Sequence, residues 1–312
     1  MKKPIVFMFS GQGSHYYQMG RVLYEQEPIF KRQLHAAETM YRDLTGFSIL
    51  DTLYSDQFKK SDSFSRTLFT HPSIFVVEYA LACLLLEQGI IPDYVLGVSL
   101  GEFCAAVIAG IFTFEEAFKA VIVQAQMMEA YCSPGAMMAI LHPHNLYHDF
   151  RQIKELSERA AINFPSHFVI SGRADHIKQI AILLNEKQIT FQKLAVEHGF
   201  HSALIDNAAQ PYLQFLERFS LKTPHTPFIS CAHEVPITSL HPRHFWDAIR
   251  KPIRFQDIIE ALERENTYTY LDVGPSGTLA TFVKYNLKKT TSSRIHTLLT
   301  PTNYSPYNRH LA

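Results

Sequence analysis

From residue 4 to about residue 132, short unbroken apolar runs alternate with longer stretches in which apolar residues recur at helical spacing. Ile5-Val6-Phe7-Met8-Phe9 and Tyr94-Val95-Leu96 read as buried strands. Helices are expected near Ser73 to Gln88, over Glu102 to Gly110 and over Thr113 to Glu129. Ser133-Pro134-Gly135 then breaks the chain, and the rhythm changes. Ala136 to Leu141 reads as a strand, Leu146 to Arg159 as a helix, and Ala160 to Asn163 and His167 to Ser171 as strands flanking Phe164-Pro165-Ser166. Asp175 to Lys187 follows as a helix and Ile189 to Val196 as a strand. That order, βαββαβ, is the pattern of a ferredoxin-like unit inserted into a larger α/β layer. The tail, Thr300 to Ala312, is polar and is expected to dock loosely or be disordered.

The chemistry collects where strands end. The second apolar strand runs into Gly97-Val98-Ser99-Leu100-Gly101, and a helix follows at once. Gly-x-Ser-x-Gly in that context is a nucleophile elbow. The glycines permit a tight turn, and the helix N-terminus favours negative charge near Ser99. The first strand enters Ser10-Gly11-Gln12-Gly13-Ser14-His15. This turn lacks the spacing of a dinucleotide fingerprint and the Lys-Ser/Thr of a phosphate loop, but it could present a backbone N–H to an oxyanion. A serine nucleophile needs a base, and Glu197-His198-Gly199-Phe200-His201-Ser202 offers two histidines after a strand. The same pair could be ordinary surface or core-edge residues. No further ligand stands nearby at zinc spacing, so no metal is expected.

Together these segments resemble the malonyl-CoA:acyl-carrier-protein acyltransferases, including the discrete acyltransferases and acyl hydrolases of polyketide synthases. Gly11 to His15 matches the family's first turn, Gly97 to Glu102 its nucleophile motif, Phe200-His201-Ser202 its base segment, and Val273-Gly274-Pro275 a late motif. The resemblance covers roughly residues 4 to 298 with all motifs in order. It implies an α/β fold: an α/β-hydrolase-like large subdomain with a parallel sheet (1–134 and 197–299), a ferredoxin-like small subdomain (135–196) and a tail (300–312). It also implies an active site in the cleft between the subdomains. By the same resemblance Ser99 is the nucleophile and His201 the general base and acid. The backbone N–H groups of Gln12 and Leu100 form the oxyanion hole, and a backbone carbonyl at about Ala248 orients the histidine in place of an aspartate.

The departures from the family pattern bear on substrate. Malonyl-using members carry an arginine on the helix after the elbow; here Gln124 holds that place, ahead of Met128. A guanidinium grips a carboxylate with two charged hydrogen bonds, which a neutral amide cannot match. Val98 replaces the motif histidine, and His71 stands where the family often has glutamine. With Phe200, these residues are expected to line the acyl site. The expected function is a serine-dependent acyl hydrolase that removes stalled non-dicarboxylic groups, such as acetyl or longer chains, from acyl-carrier proteins. The alternative is a trans-acting acyltransferase loading malonyl or another acyl group from CoA. A module that has lost catalysis and a lipase-like esterase fit the motifs less well. Partners are the phosphopantetheine-linked acyl-carrier protein, acyl-CoA and the polyketide synthase assembly; no cofactor is implied.

Composition changes little. The 312 residues are 47% hydrophobic, enough for a substantial core, and 29 basic residues balance 29 acidic ones. Nothing points to a nucleic-acid or membrane surface. The N-terminal apolar run is too short for a signal peptide, and no stretch is expected to span a bilayer. Four cysteines without a Cys-x-x-Cys motif fit a reducing cytoplasm.

Overall fold

The computed structural model describes residues 3–233 and 240–307. Its strands are β1 (Ile5–Phe9), β2 (Tyr94–Gly97), β3 (Gly135–Ile140), β4 (Glu158–Phe164), β5 (His167–Arg173), β6 (Phe191–Lys193), β7 (Phe228–Ser230), β8 (Thr269–Asp272) and β9 (Arg294–Thr297). Its helices begin with α1 (Arg21–Gln26), α2 (Pro28–Thr45), α3 (Ile49–Tyr54), α4 (Thr67–Glu87), α5 (Gly101–Ile108) and α6 (Phe114–Tyr131). They continue with α7 (Leu146–Asp149), α8 (Arg151–Leu156), α9 (Ala174–Glu186), α10 (Ala209–Leu216), α11 (Arg243–Arg250), α12 (Phe255–Glu265) and α13 (Thr278–Asn286).

Two sheets result. The larger is parallel in the order β7-β2-β1-β8-β9. Its central strand β1 is buried at all five residues, as a strand covered on both faces must be. The smaller is antiparallel in the order β4-β5-β3-β6, the arrangement of a ferredoxin-like unit. The two are stitched together where Ile253 N–H donates to Ala160 O at 2.8 Å and Ile162 N–H to Ile253 O at 3.0 Å. That seam immediately follows α11.

Helix boundaries differ from expectation in instructive ways. α4 starts at Thr67 and runs straight through Pro72. Proline lacks the N–H that Leu68 O would accept four residues back. The Tyr41 hydroxyl donates to that carbonyl instead, at 2.9 Å, so the helix survives and His71 becomes a buried helical residue. The expectation that no stretch could span a bilayer is also corrected. By length and composition α4 qualifies, but most of it is buried, and it packs against α2, α5 and α6 as a core helix. The single helix expected over 146–159 is two short ones, broken at Phe150, where the backbone is extended. It ends early because Glu158 already pairs with β5. α6 begins with a capping box: Glu116 N–H donates to Thr113 Oγ1 at 3.2 Å, and Thr113 N–H to Glu116 Oε2 at 2.9 Å. Part of the tail docks. Ser305 N–H donates to Leu298 O at 2.8 Å and Tyr304 bridges Leu299, whereas 308–312 lie outside the described residues.

Candidate active site

β2 delivers the elbow. Val98 N–H donates to Phe9 O at 3.0 Å, which carries the β1–β2 pairing into the turn. Ser99 then takes φ 56°, a left-handed conformation that costs a non-glycine residue energy and persists only where neighbours enforce it. The turn around it is closely packed. A Cβ on Gly97 would lie 2.4 Å from Glu102 Cα, and one on Gly101 2.2 Å from Phe9 O. Both flanking glycines are therefore required by close backbone approach. A Cβ on Gly11 would lie 3.0 Å from Ser99 Cβ and 3.3 Å from Leu100 N, so the first glycine-rich turn sits directly against the elbow. Among the described residues, the backbone N–H groups of Gln12 and Leu100 donate to no protein acceptor. Both flank the serine and are free to donate.

His201 meets Ser99 from the other side. Its Nε2 is 2.9 Å from Ser99 Oγ, and its Nδ1 is 2.7 Å from Lys251 O. A carbonyl only accepts, so Nδ1 carries the proton, Nε2 is the acceptor and the serine hydroxyl donates to it. The orienting carbonyl is therefore that of Lys251, which corrects the expectation of Ala248. Ala248 lies inside α11, a turn earlier, whereas Lys251 leaves the helix in an extended conformation ahead of Pro252 and turns its carbonyl to the ring. The His201 backbone N–H donates to Ile249 O at 2.9 Å, so the end of α11 holds both main chain and ring. Burial pushes the His201 pKa down to about 4, although the bond to Lys251 works against that shift. The ring is neutral at pH 7, so Nε2 is free to accept a proton. His198 lies close by on Phe200 but makes no bond to Ser99.

Ser99 and His201 open onto a cavity of about 510 Å³ between the two sheets. Val98 and Phe200 are on its wall, together with Met137, Ala139, Ala161 and Val169 from the small sheet. Gln124 and His71 are not, which corrects the expectation that they line the acyl site directly. The His71 ring packs 5.2 Å from the Phe200 ring, which stands in front of it. Gln124 is fully buried, with Nε2 3.2 Å from Tyr212 Oη. Gln124 Oε1 and both ring nitrogens of His71 lack a hydrogen-bond partner among the described residues. The amide nevertheless lies near enough to favour protonated His71 slightly, against a burial that takes its pKa to about 3. Among the described residues, no lysine, arginine, aspartate or glutamate lines the cavity. Its histidines are driven neutral by burial: His15 to about 4, and His167 downward as well.

The acyl transferase domain model matches residues 6–302. The chain belongs to this family. It is 46% identical over 96% of its length to the polyketide biosynthesis acyltransferase homolog BaeD of Bacillus velezensis, covering 93% of that protein. It is 41% identical, with the same coverage, to the homolog PksD of Bacillus subtilis. Among solved structures it is similar to the acyltransferase domain from the second module of the salinomycin polyketide synthase. That match has a TM-score of 0.84 and 26% identity, over 97% of this chain and 70% of the other. The fold, with its large and small subdomains, is that of these acyltransferases.

Several parts of this acyltransferase site escape motif reading. Lys251 contributes only backbone, so no side chain signals it. Tyr212, the partner of Gln124, lies on α10 far along the chain. Glu78, on α4, is fully buried and accepts from Ser10 N–H at 2.8 Å and Ser10 Oγ at 2.6 Å, anchoring the first turn. A lone glutamate in the apolar run Ile74–Leu86 was the available signal.

Proposed function

We propose that the protein is a serine-dependent hydrolase of neutral acyl thioesters carried by acyl-carrier proteins of polyketide biosynthesis. Ser99 Oγ attacks the thioester carbonyl while His201 Nε2 takes the hydroxyl proton. The oxyanion accepts hydrogen bonds from Gln12 and Leu100 N–H. The C–S bond then breaks, and His201 protonates the leaving thiolate of the phosphopantetheine arm. In the second half, water attacks the acyl-serine, His201 takes its proton, and the acid departs as Ser99 regains its hydrogen. Nothing in either half needs a cofactor.

The observation that carries this reading is the uncharged cavity around Ser99. A dicarboxylic acyl group would leave its free carboxylate desolvated with no cation to meet it. Gln124, at the family's arginine position, and neutral His71 add none. Acetyl and longer unbranched acyl groups have no such requirement, and Val98 and Phe200 offer them apolar wall. The names of the similar homologs support acyl-transfer chemistry in a polyketide setting.

The test is a panel of carrier proteins loaded with malonyl, acetyl and butyryl groups, followed by intact mass. Loss of acetyl and butyryl to water faster than malonyl is expected. If malonyl is preferred by about tenfold or more, a discrimination of roughly 1.4 kcal/mol, and moves to a carrier thiol faster than to water, the protein is a malonyl transferase instead.

A further inference from the structure

The sixth residue of the elbow motif, Glu102, faces away from the cavity. It sits on the first turn of α5, three residues after Ser99, and is fully buried. Both carboxylate oxygens are occupied. Oε1 accepts from Ser230 Oγ at 2.7 Å, at the end of β7, and Oε2 accepts from His244 Nε2 at 2.6 Å, on the first turn of α11. His244 is itself buried, stacked on His233 at 4.9 Å and edge-on to Phe245 at 5.2 Å. Phe245 packs on Phe103 of α5 at 5.0 Å, so the two helices touch through a second pair beside the first.

The other end of α11 holds the base. Ile249 O and Lys251 O receive the two hydrogen bonds that set His201. Serine and histidine come from chain segments about a hundred residues apart, and among the described residues no carboxylate ties them together. Their separation is fixed through α11, whose first turn is bound to the elbow helix and whose last turn is bound to the imidazole. We propose that Glu102 and His244 are positioning residues that set the distance between nucleophile and base. The inference rests on Ser99 and His201 in those roles. Neither Glu102 nor His244 lines the cavity, so neither touches substrate.

A residue acting only on alignment should change how readily Ser99 reacts and leave carrier binding alone. Removing the link lets α11 shift by a fraction of an ångström or more, and misplacement of that order costs up to about a hundredfold in rate. The experiment uses the full chain and His244→Ala, His244→Gln, Glu102→Gln and Ser99→Ala. Three quantities are read: kcat and KM for acetyl-carrier protein, the rate at which phenylmethanesulfonyl fluoride modifies Ser99, and the melting temperature.

His244→Ala should lower kcat and the sulfonylation rate together, by about thirtyfold, with KM within about threefold of wild type. His244→Gln, whose amide reaches toward Glu102, should recover most of both rates. Folded His244→Ala with both rates within about threefold of wild type overturns the proposal, and so does a loss confined to KM. If His244→Ala does not fold, Glu102→Gln decides. It keeps the shape but gives up the charge-assisted bond, and both rates should fall by about three- to tenfold, the worth of that strengthening; unchanged rates overturn the proposal. Ser99→Ala separates the two readings. If it retains hydrolysis, the nucleophile assignment fails; if it is inactive while the His244 and Glu102 variants behave as wild type, only the positioning role fails.

Discussion

Gln124→Arg asks whether the missing cation governs acyl choice. Gln124 is fully buried beside Tyr212 Oη and neutral His71, and no carboxylate is among its partners. An arginine there would be an uncompensated buried charge, which costs about 3–5 kcal/mol. At roughly 2–4 °C per kcal/mol, as for domains of 150–250 residues, the free protein should melt at least about 6 °C lower. A malonyl group on Ser99 would provide the partner. Pairing it is worth about 2–5 kcal/mol, so the ratio of kcat/KM for malonyl over acetyl should rise at least about thirtyfold. The assay is initial loss of acyl mass from each loaded carrier protein, in wild type and variant. Because the Phe200 ring stands before His71, the measurement is repeated with Phe200→Ala added. That change opens the wall and separates blocked access from a wrong location. If the malonyl-to-acetyl ratio stays within about threefold of wild type in both backgrounds, a difference under about 1 kcal/mol, Gln124 does not face the acyl path and the reasoning fails.

Three further outcomes follow from the same geometry. Ser99→Ala should hydrolyse acetyl-carrier protein at under about a hundredth of the wild-type rate, measured by intact mass, because a lost covalent nucleophile costs far more than that. The acid limb of kcat/KM should centre near pH 4, since His201 is held at about 4 and accepts the serine proton only when neutral; a limb at the ordinary histidine value would contradict its burial. One residue inserted between Lys251 and Pro252 should abolish activity by displacing the orienting carbonyl, whereas Ala248→Gly, within α11, should leave kcat within about threefold despite a helix cost of about 1 kcal/mol.

The layout was legible in the sequence wherever local pattern and packing agree. The apolar run 5–9 and the run before Gly97 are strands because nothing in them tolerates water, and βαββαβ periodicity identified the second sheet. The elbow was legible because two glycines are demanded by contacts of 2.2 and 2.4 Å that no other residue survives. Less was legible where distant chain supplies the missing bond. The helix reads as starting near Ser73, because the sequence does not show that Tyr41, thirty-one positions before Pro72, satisfies Leu68 O. The carbonyl that orients His201 carries no side-chain signature, so the family resemblance places it only at about Ala248, while the turn out of α11 presents Lys251.

That carbonyl has a consequence for the chemistry. In a triad, a buried carboxylate stabilises the imidazolium that forms as the serine proton transfers. Here the ring leans on a neutral dipole, in a cavity with no charged side chain on its walls among the described residues. The imidazolium is costly all the same, because burial, the main cause of the ring's depressed pKa, outweighs the help of that carbonyl. The proton is therefore passed on readily once a thiolate leaves, and a thioester suits such a site because its leaving group is a good one. An amide or an alkyl ester, with a poorer leaving group, would ask more of the same histidine. On the proposed reading, neutral surroundings would favour uncharged acyl groups and activated thioesters for one electrostatic reason: charge created here would have little to meet it beyond the N–H groups of Gln12 and Leu100 and the carbonyl of Lys251.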